Sequence, residues 1–354
     1  ITDTAAPLPA NRVTFVSGYM VFVKTEGKIA FHSPLNDYRG DTNGGTAYDA
    51  LDFMTAEADP DEIKSSVNFK DQLFLIGAET TQVYKNIGRV PAAFETIQGF
   101  VLSKGIDAVN SVVIGQETFA FIGGGPNENP AVWAYTGNGY TKVSTRAIDN
   151  VLQELTDTEL SEVTAWSYAN FGQYFIGFIL PNTCFVYNFT NGKWHERRSF
   201  NNNVEITYRS NFFLTAYGRV MCGDTITGII GEVSENTHLE YDELIRITFT
   251  SRPFDDSGNS YRISALEAVF QSGMGNDYVR DPKVRISWSD DGGRTYNNEI
   301  QRSIGKRGEY KNRAIWRRQG RTARSRTFKL EYAENTKFTL IKIEMNYAKN
   351  NPSR

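Results

Sequence analysis

From Arg302 to Lys329 the chain carries eleven lysines and arginines against one acid, Glu309. Six arginines, Arg313, Arg317, Arg318, Arg321, Arg324 and Arg326, crowd into and beside "IWRRQGRTARSRTFK". A guanidinium is a rigid fork of N–H donors that matches phosphate or carboxylate oxygens two at a time. On a nucleic acid each such contact also releases condensed counterions. The density predicts a polyanionic or acidic partner, either double-stranded DNA or an acidic protein surface. The plainer alternative is a solvated face of alternating strands.

Other residues with chemical potential lead to less. Asp290–Asp291 and Asp255–Asp256 are paired carboxylates, but neighbours on a turn face apart, so turn geometry accounts for them. His32, His195 and His238 are scattered without metal-ligand spacing, and no Ser-His-Asp or Cys-His grouping stands out. Cys184 and Cys222 sit in apolar runs and read as small buried hydrophobes. "FIGGGPNENP" (121–130) lacks the Lys-Ser/Thr of a phosphate loop and reads as a turn. Arg39-Gly40-Asp41 reads as a loop coincidence. The expectation is no catalytic residue, no metal and no cofactor.

"SDDGGRTY" (289–296) raises a sharper question. Ser289, Asp291, Gly293, Thr295 and Tyr296 fit a Ser-x-Asp-x-Gly-x-Thr-aromatic box that resembles one in sialidases and other carbohydrate-active proteins. The box is a local hairpin device: side-chain oxygens accept turn N–H groups, glycine tolerates positive φ, and the aromatic folds beneath. A sialidase would also need an arginine cluster, with Arg12, Arg39, Arg89, Arg146 and Arg209 as the available set. A carbohydrate-active or receptor-binding protein therefore stands as the alternative class.

The elements that must position these residues are strands. An aromatic share of 13%, with 30 glycines, leans to β structure. No apolar stretch reaches the ~20 residues of a membrane-spanning helix, so membrane insertion is not expected. The chain starts at Ile1 without Met, as a fragment or a processed product would. Apolar strand pairs recur around Phe22, Leu75, Phe121, Ile176 and Cys222, taken as the first strand of each unit. Steps of about 46–55 residues fit the blades of a β-propeller, with five visible. Ile148, Val151, Leu152 and Leu155 have helical spacing, and Thr156 or Asp157 could cap a second short helix. After residue 240 the strands lengthen: Val284, Ile286 and Trp288 alternate with Lys283, Arg285 and Ser287, and Phe328, Leu330 and Tyr332 with Lys329 and Glu331. Five such strands predict a β-sandwich. Charge divides at the same place. Residues 241–354 hold 22 basic and 14 acidic side chains, and residues 1–240 hold 16 and 27. The expected division is a propeller over 1–240 and a basic sandwich over 241–354, with opposite polarity suited to head-to-tail stacking.

The order of "DQLFLIGAETTQVYKNIG" (71–88), "VLSKGI" (101–106) and "ETFAFIGGGPNENPAVWAYTGNGYTKVSTRAIDNVLQELTDTEL" (117–160) resembles the packaged-DNA stabilisation proteins of short-tailed bacteriophages, also called tail accessory factors or tail hubs. "WSDDGGRTYNNE" (288–299) followed by "AIWRRQGRTARSRTFKLEY" (314–332) is similar to that family's closing segment. The resemblance spans roughly residues 10–349. It implies a virion protein without catalytic role, assembled in the host cytoplasm. It further implies a hexameric ring in the tail, below the portal and its adaptor. Such a ring would retain the packaged genome, extend the channel for DNA ejection and carry a tail needle or fibres. Family members have propeller sequence ahead of the position matching Ile1, so an incomplete propeller, or one closed by another chain, is a further expectation.

Overall fold

The computed structural model describes residues 9–39, 48–56, 61–322 and 324–349. Gly40 and Asp41 of the Arg-Gly-Asp tripeptide lie outside them. The chain divides into two units, one of residues 1–198 and 207–232, the other of 199–206 and 233–354.

The first unit is a succession of antiparallel meanders. Sheet one joins β1 (Ala10–Val16), β2 (Tyr19–Lys24), β3 (Ile29–His32) and β4 (Phe53–Thr55); sheet two joins β5 (Ile63–Phe69), β6 (Gln72–Gly77), β7 (Thr81–Asn86) and β8 (Phe94–Leu102). Sheet three comprises β9 (Val113–Ile114), β10 (Phe119–Gly123), β11 (Ala131–Tyr135) and β12 (Tyr140–Lys142). Sheet four comprises β13 (Thr164–Asn170), β14 (Gln173–Ile179), β15 (Cys184–Asn188), β16 (Lys193–Asn201) and β17 (Val204–Thr207), of which residues 199–206 are counted with the second unit. Sheet five comprises β18 (Ser210–Ala216), β19 (Arg219–Asp224) and β20 (Ile230–Glu232). These are the five blades of the expected propeller. One detail differs: Phe22, Leu75, Phe121, Ile176 and Cys222 all fall on the second strand of a sheet, not the first. The leading strands, such as "IKSSVNF", are too polar to stand out as apolar runs.

Burial on both faces explains why the second strands do. In β6, Leu73 and Leu75 face a core shared with sheet one, which supplies Val16, Val21 and Val23. The alternate residues Phe74 and Ile76 face a core shared with Phe119 and Phe121 of β10. In β10 the pattern repeats, with Ala120 and Ile122 packing towards Ile176 and Phe178 of β14. Side chains alternate across a strand, so a strand covered on both sides must be apolar throughout. Beyond β14 the contact is aromatic: Trp166 packs tilted against Phe213 of β18 and Tyr168 stacks on it, with ring centroids at 4.4 and 4.8 Å. A Cβ on Gly177 would lie 2.2 Å from the Trp166 indole, so only glycine admits that ring. Val13 and Phe15 on β1, and Phe212, Leu214 and Ile230 in sheet five, remain exposed.

Between sheets three and four, α1 (Arg146–Gln153) and α2 (Asp157–Glu162) occupy the expected helical stretch. Ile148, Leu152 and Leu160 are buried. Thr156 caps α2 in a reciprocal box with Glu159, which satisfies two N–H groups that the first turn leaves unpaired. No helix among the described residues is long and apolar enough to cross a membrane.

The second unit contains one short pair and a sandwich. β21 (Leu239–Glu240) pairs with β22 (Glu243–Leu244). One sheet follows the order β23 (Ile247–Thr250), β29 (Ser325–Tyr332), β26 (Lys283–Ser289) and β27 (Ile300–Ser303), with β24 (Phe254–Asp255) also on β29. The other places β25 (Tyr261–Phe270) between β28 (Ala314–Thr322) and β30 (Leu340–Lys349). Val284, Ile286, Leu330 and Tyr332 from the first sheet meet Ile263, Leu266 and Trp316 from the second in one core. This is the expected β-sandwich, with the basic run supplying β28.

Candidate functional site

The octapeptide connects β26 to β27, whose register pairs Ile286 with Ile300 and Lys283 with Ser303. The side-chain oxygens of Ser289 and Asp291 are engaged within it. Asp291 Oδ1 accepts the N–H groups of Arg294 at 2.9 Å and Thr295 at 3.0 Å, and the Ser289 hydroxyl at 2.6 Å. Its Oδ2 accepts the Thr295 hydroxyl at 2.5 Å, and Ser289 Oγ accepts the Gly293 N–H at 2.8 Å. These donors hold the Asp291 carboxyl far below the usual aspartate range. Gly292 and Gly293 take φ of 79° and 91°, where a side chain would be strained. Tyr296 lies under the Lys329 ammonium, 4.8 Å from the ring centroid. The geometry is that of a stapled hairpin.

The adjacent Asp290 acts across the unit. Its two oxygens each lie 2.6 Å from the Arg326 guanidinium, whose side chain is 3% exposed. Arg326 also donates to the carbonyls of Gln319 and Arg321 and lies over the Trp288 ring at 5.1 Å. One guanidinium thus ties the octapeptide to the β28–β29 hairpin. Of the six arginines singled out above, it is the one that is buried.

The other five are exposed, but not equivalent. Arg313 forms a fork with Glu267 at 2.6 and 2.5 Å. Arg321 donates to Ser260 Oγ at 2.7 Å. Arg317, Arg318 and Arg324 make no ion pair among the described residues, and neither does Arg262. Arg262 lies far from the basic run in sequence, so its type and position alone do not mark it. Sheet register brings it directly opposite Arg321. Like charges at such a pair disfavour the sheet by up to about 1 kcal/mol.

A bulge shapes this face. Between Ile263 and Ala265 the register advances two residues on β25 but three on β28, from Gly320 to Arg317. The extra residue breaks the alternation: Trp316 and Gln319 point inward, while Arg317 and Arg318 are both exposed. Arg318 adopts φ of 59°, a left-handed conformation disfavoured for a residue with a Cβ by roughly 1–2 kcal/mol. Strain of this kind persists where the surroundings fix it, and bulges commonly re-aim side chains at functional edges. The result is a row of cations in which Arg262, Arg317, Arg318 and Arg324 form no ion pair among the described residues, although Glu267 lies near enough to Arg317 to feel its charge. It suits an anionic ligand or surface.

The arginines considered for a carbohydrate site do separate local jobs. Arg209 is buried against Asp224 in a fork at 2.7 and 2.6 Å, and this pairing drives the Asp224 carboxyl far down. Arg39 pairs with Asp37, Arg146 opens α1, Arg12 lies on β1, and Arg89 is an exposed loop residue after β7. In "FIGGGPNENP", Gly123 ends β10 and its Cβ would fall 2.0 Å from the Gly105 carbonyl, so close backbone packing explains that glycine. Glu128 Oε2 accepts both Gly125 N–H and the Lys104 ammonium, leaving a closed turn. His195 on β16 is held down to about 4 by burial and by Arg197, so it is neutral near pH 7. No group of three or more His, Cys, Asp or Glu able to hold a metal occurs among the described residues.

Comparison with known proteins gives the assignment. A search of curated proteins finds none that matches. Solved structures share low identity and superpose poorly. An exo-β-1,3-galactanase from Phanerochaete chrysosporium is 8% identical, covering 93% of this chain and 75% of its own, with a TM-score of 0.28. The core factor of S. cerevisiae is 10% identical, covering 95% and 59%, with a TM-score of 0.35. A family 43 arabinoxylan arabinofuranohydrolase from Bacillus subtilis is 10% identical, covering 95% and 77%, at 0.24. Values this low carry no argument. The family models are different in kind: that for the bacteriophage P22 Gp10 β-propeller matches residues 6–238, and that for the Gp10 β-sandwich matches residues 246–348. The chain therefore belongs to the phage P22 Gp10 family of packaged-DNA stabilisation and tail hub proteins, and is a structural protein of the phage tail.

Proposed function

We propose that this chain is a non-catalytic wall of a ring in the virion tail. Copies, six in the simplest form, surround the DNA channel below the portal and adaptor. There they retain the packaged genome until ejection and offer attachment to a tail needle or fibres. The observation that carries the reading is the match of both Gp10 models, in order, along nearly the whole chain. The physical features support it. Stacked meanders and a sandwich make rigid walls. The polar groups most suggestive of catalysis are engaged in holding turns and sheets together, and the unengaged ones are arginines on a sheet face, suited to docking. Replacing Arg317, Arg318, Arg321 and Arg324 with Ala is expected to reduce assembly onto DNA-filled heads severalfold, measured as tailed particles that keep their genome. Normal assembly and retention by that variant would refute the docking role.

A further inference from the structure

We infer that the arginine face of β28 and β25 in one copy docks on the acidic α1–α2 segment of a second copy. The inference rests on the ring reading above and names the contact that builds the ring. Between Arg146 and Lys193 the sequence has no lysine or arginine, yet it contains Asp149, Glu154, Asp157, Glu159 and Glu162. Asp149 is paired with Lys142 and Glu159 is engaged in the cap of α2. Glu154, Asp157 and Glu162 are exposed and form no ion pair among the described residues. Burial raises the carboxyl of nearby Asp107, Lys64 pulls it back and Asp157 adds to the rise, which places a fourth acid and one lysine beside the segment. Three exposed acids without ion pairs thus stand against Arg262, Arg317, Arg318 and Arg324, which form none among the described residues.

Two features favour a second copy over a DNA backbone. The arginine sheet is not uniformly basic: Glu267 and Glu344 lie directly opposite each other in its register, and a polyphosphate would meet both carboxylates. A protein surface can match such a mixed pattern, with like-charge clashes enforcing the register. The charge balance points the same way. Residues 1–240 carry a formal excess of eleven negative charges, so the remainder of the molecule repels DNA and attracts the basic face of another copy. Contact between two different patches is heterologous, and a heterologous contact generates a ring when its rotation closes.

The test uses two charge-reversed proteins, one with Arg317→Glu, Arg318→Glu and Arg321→Glu, the other with Glu154→Lys, Asp157→Lys and Glu162→Lys. Sedimentation velocity measures self-association at about 10 mM salt, where the Debye length is about 30 Å, and at about 1 M, where it is about 3 Å. The unaltered chain is expected to associate at low salt and dissociate at high salt. Each reversed protein should associate more than about a hundredfold more weakly, and mixing the two should restore assembly, because both complementary contacts then re-form. Near-ultraviolet circular dichroism confirms that each variant is folded, and the restoration on mixing reports the contact independently. Association by each reversed protein as strong as that of the unaltered chain would overturn the contact while leaving the ring reading intact. A chain monomeric at low salt would overturn the contact, and absence from isolated tails would overturn the ring reading itself. Retained self-association with lost binding of a short DNA duplex in the arginine variant would assign the face to DNA instead.

Discussion

Residues 289–296 and 313–324 lie in the same unit, and both have the residue types of a functional site. Their polar atoms have different fates. In the octapeptide every Asp291 and Ser289 oxygen is engaged within eight residues, so the sequence that most suggests chemistry has none left to offer. On β28 and the turn after it the guanidiniums of Arg317, Arg318 and Arg324 form no ion pair among the described residues, one of them sits in a disfavoured backbone conformation, and Arg321 opposes Arg262. Residue type marks both regions equally. On the proposed reading, function resides where charge is left without an ion pair, and stability where it is consumed.

That contrast can be broken by mutation. The largest effect is expected where charge is consumed most completely: Arg209→Ala leaves Asp224 buried and unpaired and should lower stability by about 3–5 kcal/mol in urea titrations. Arg326→Ala should cost about 2–3 kcal/mol, less because its partner Asp290 is 45% exposed and can be rehydrated. Arg318→Gly should do the reverse. Relief of the left-handed strain is expected to raise stability by up to about 1 kcal/mol while weakening assembly, and a loss of stability there would deny that the bulge is a strained functional feature. The smallest effect is in acid. The Asp291 carboxyl is depressed in the fold, so its stabilising contribution is complete above the unfolded aspartate range near about pH 4 and fades as the pH falls towards the folded value. Asp291→Asn should therefore flatten the acid limb of the stability profile, with little change in its shape near neutrality.

Much of this organisation was legible in the sequence because it rests on local pattern. Helical spacing at Ile148, Leu152 and Leu155, with Thr156 as cap, marked both helices. The apolar runs at Leu75, Phe121 and Ile176 marked the strands buried on both faces. The leading strand of each sheet was not legible, because a strand such as "IKSSVNF" carries Lys64, Ser65, Ser66 and Asn68 among its apolar residues, and Ser65 and Ser66 are buried nonetheless. Nor could the sequence separate Arg326 from its neighbours: its burial depends on Asp290, 36 residues away, and on the β28–β29 hairpin closing over it. Arg262 joins the basic face only through cross-strand register, and the bulge that turns Arg317 and Arg318 to the same side is a mismatch between two strands that neither strand encodes alone.

The central claim, that this chain serves as structural wall and not as catalyst, is tested most directly by cryo-electron microscopy of assembled particles. The account predicts a ring of identical copies around the DNA channel, each with its β28 arginines against a neighbouring copy. A solitary copy away from the channel, with Arg12, Arg89 and Arg146 converging on a bound sugar, would contradict it.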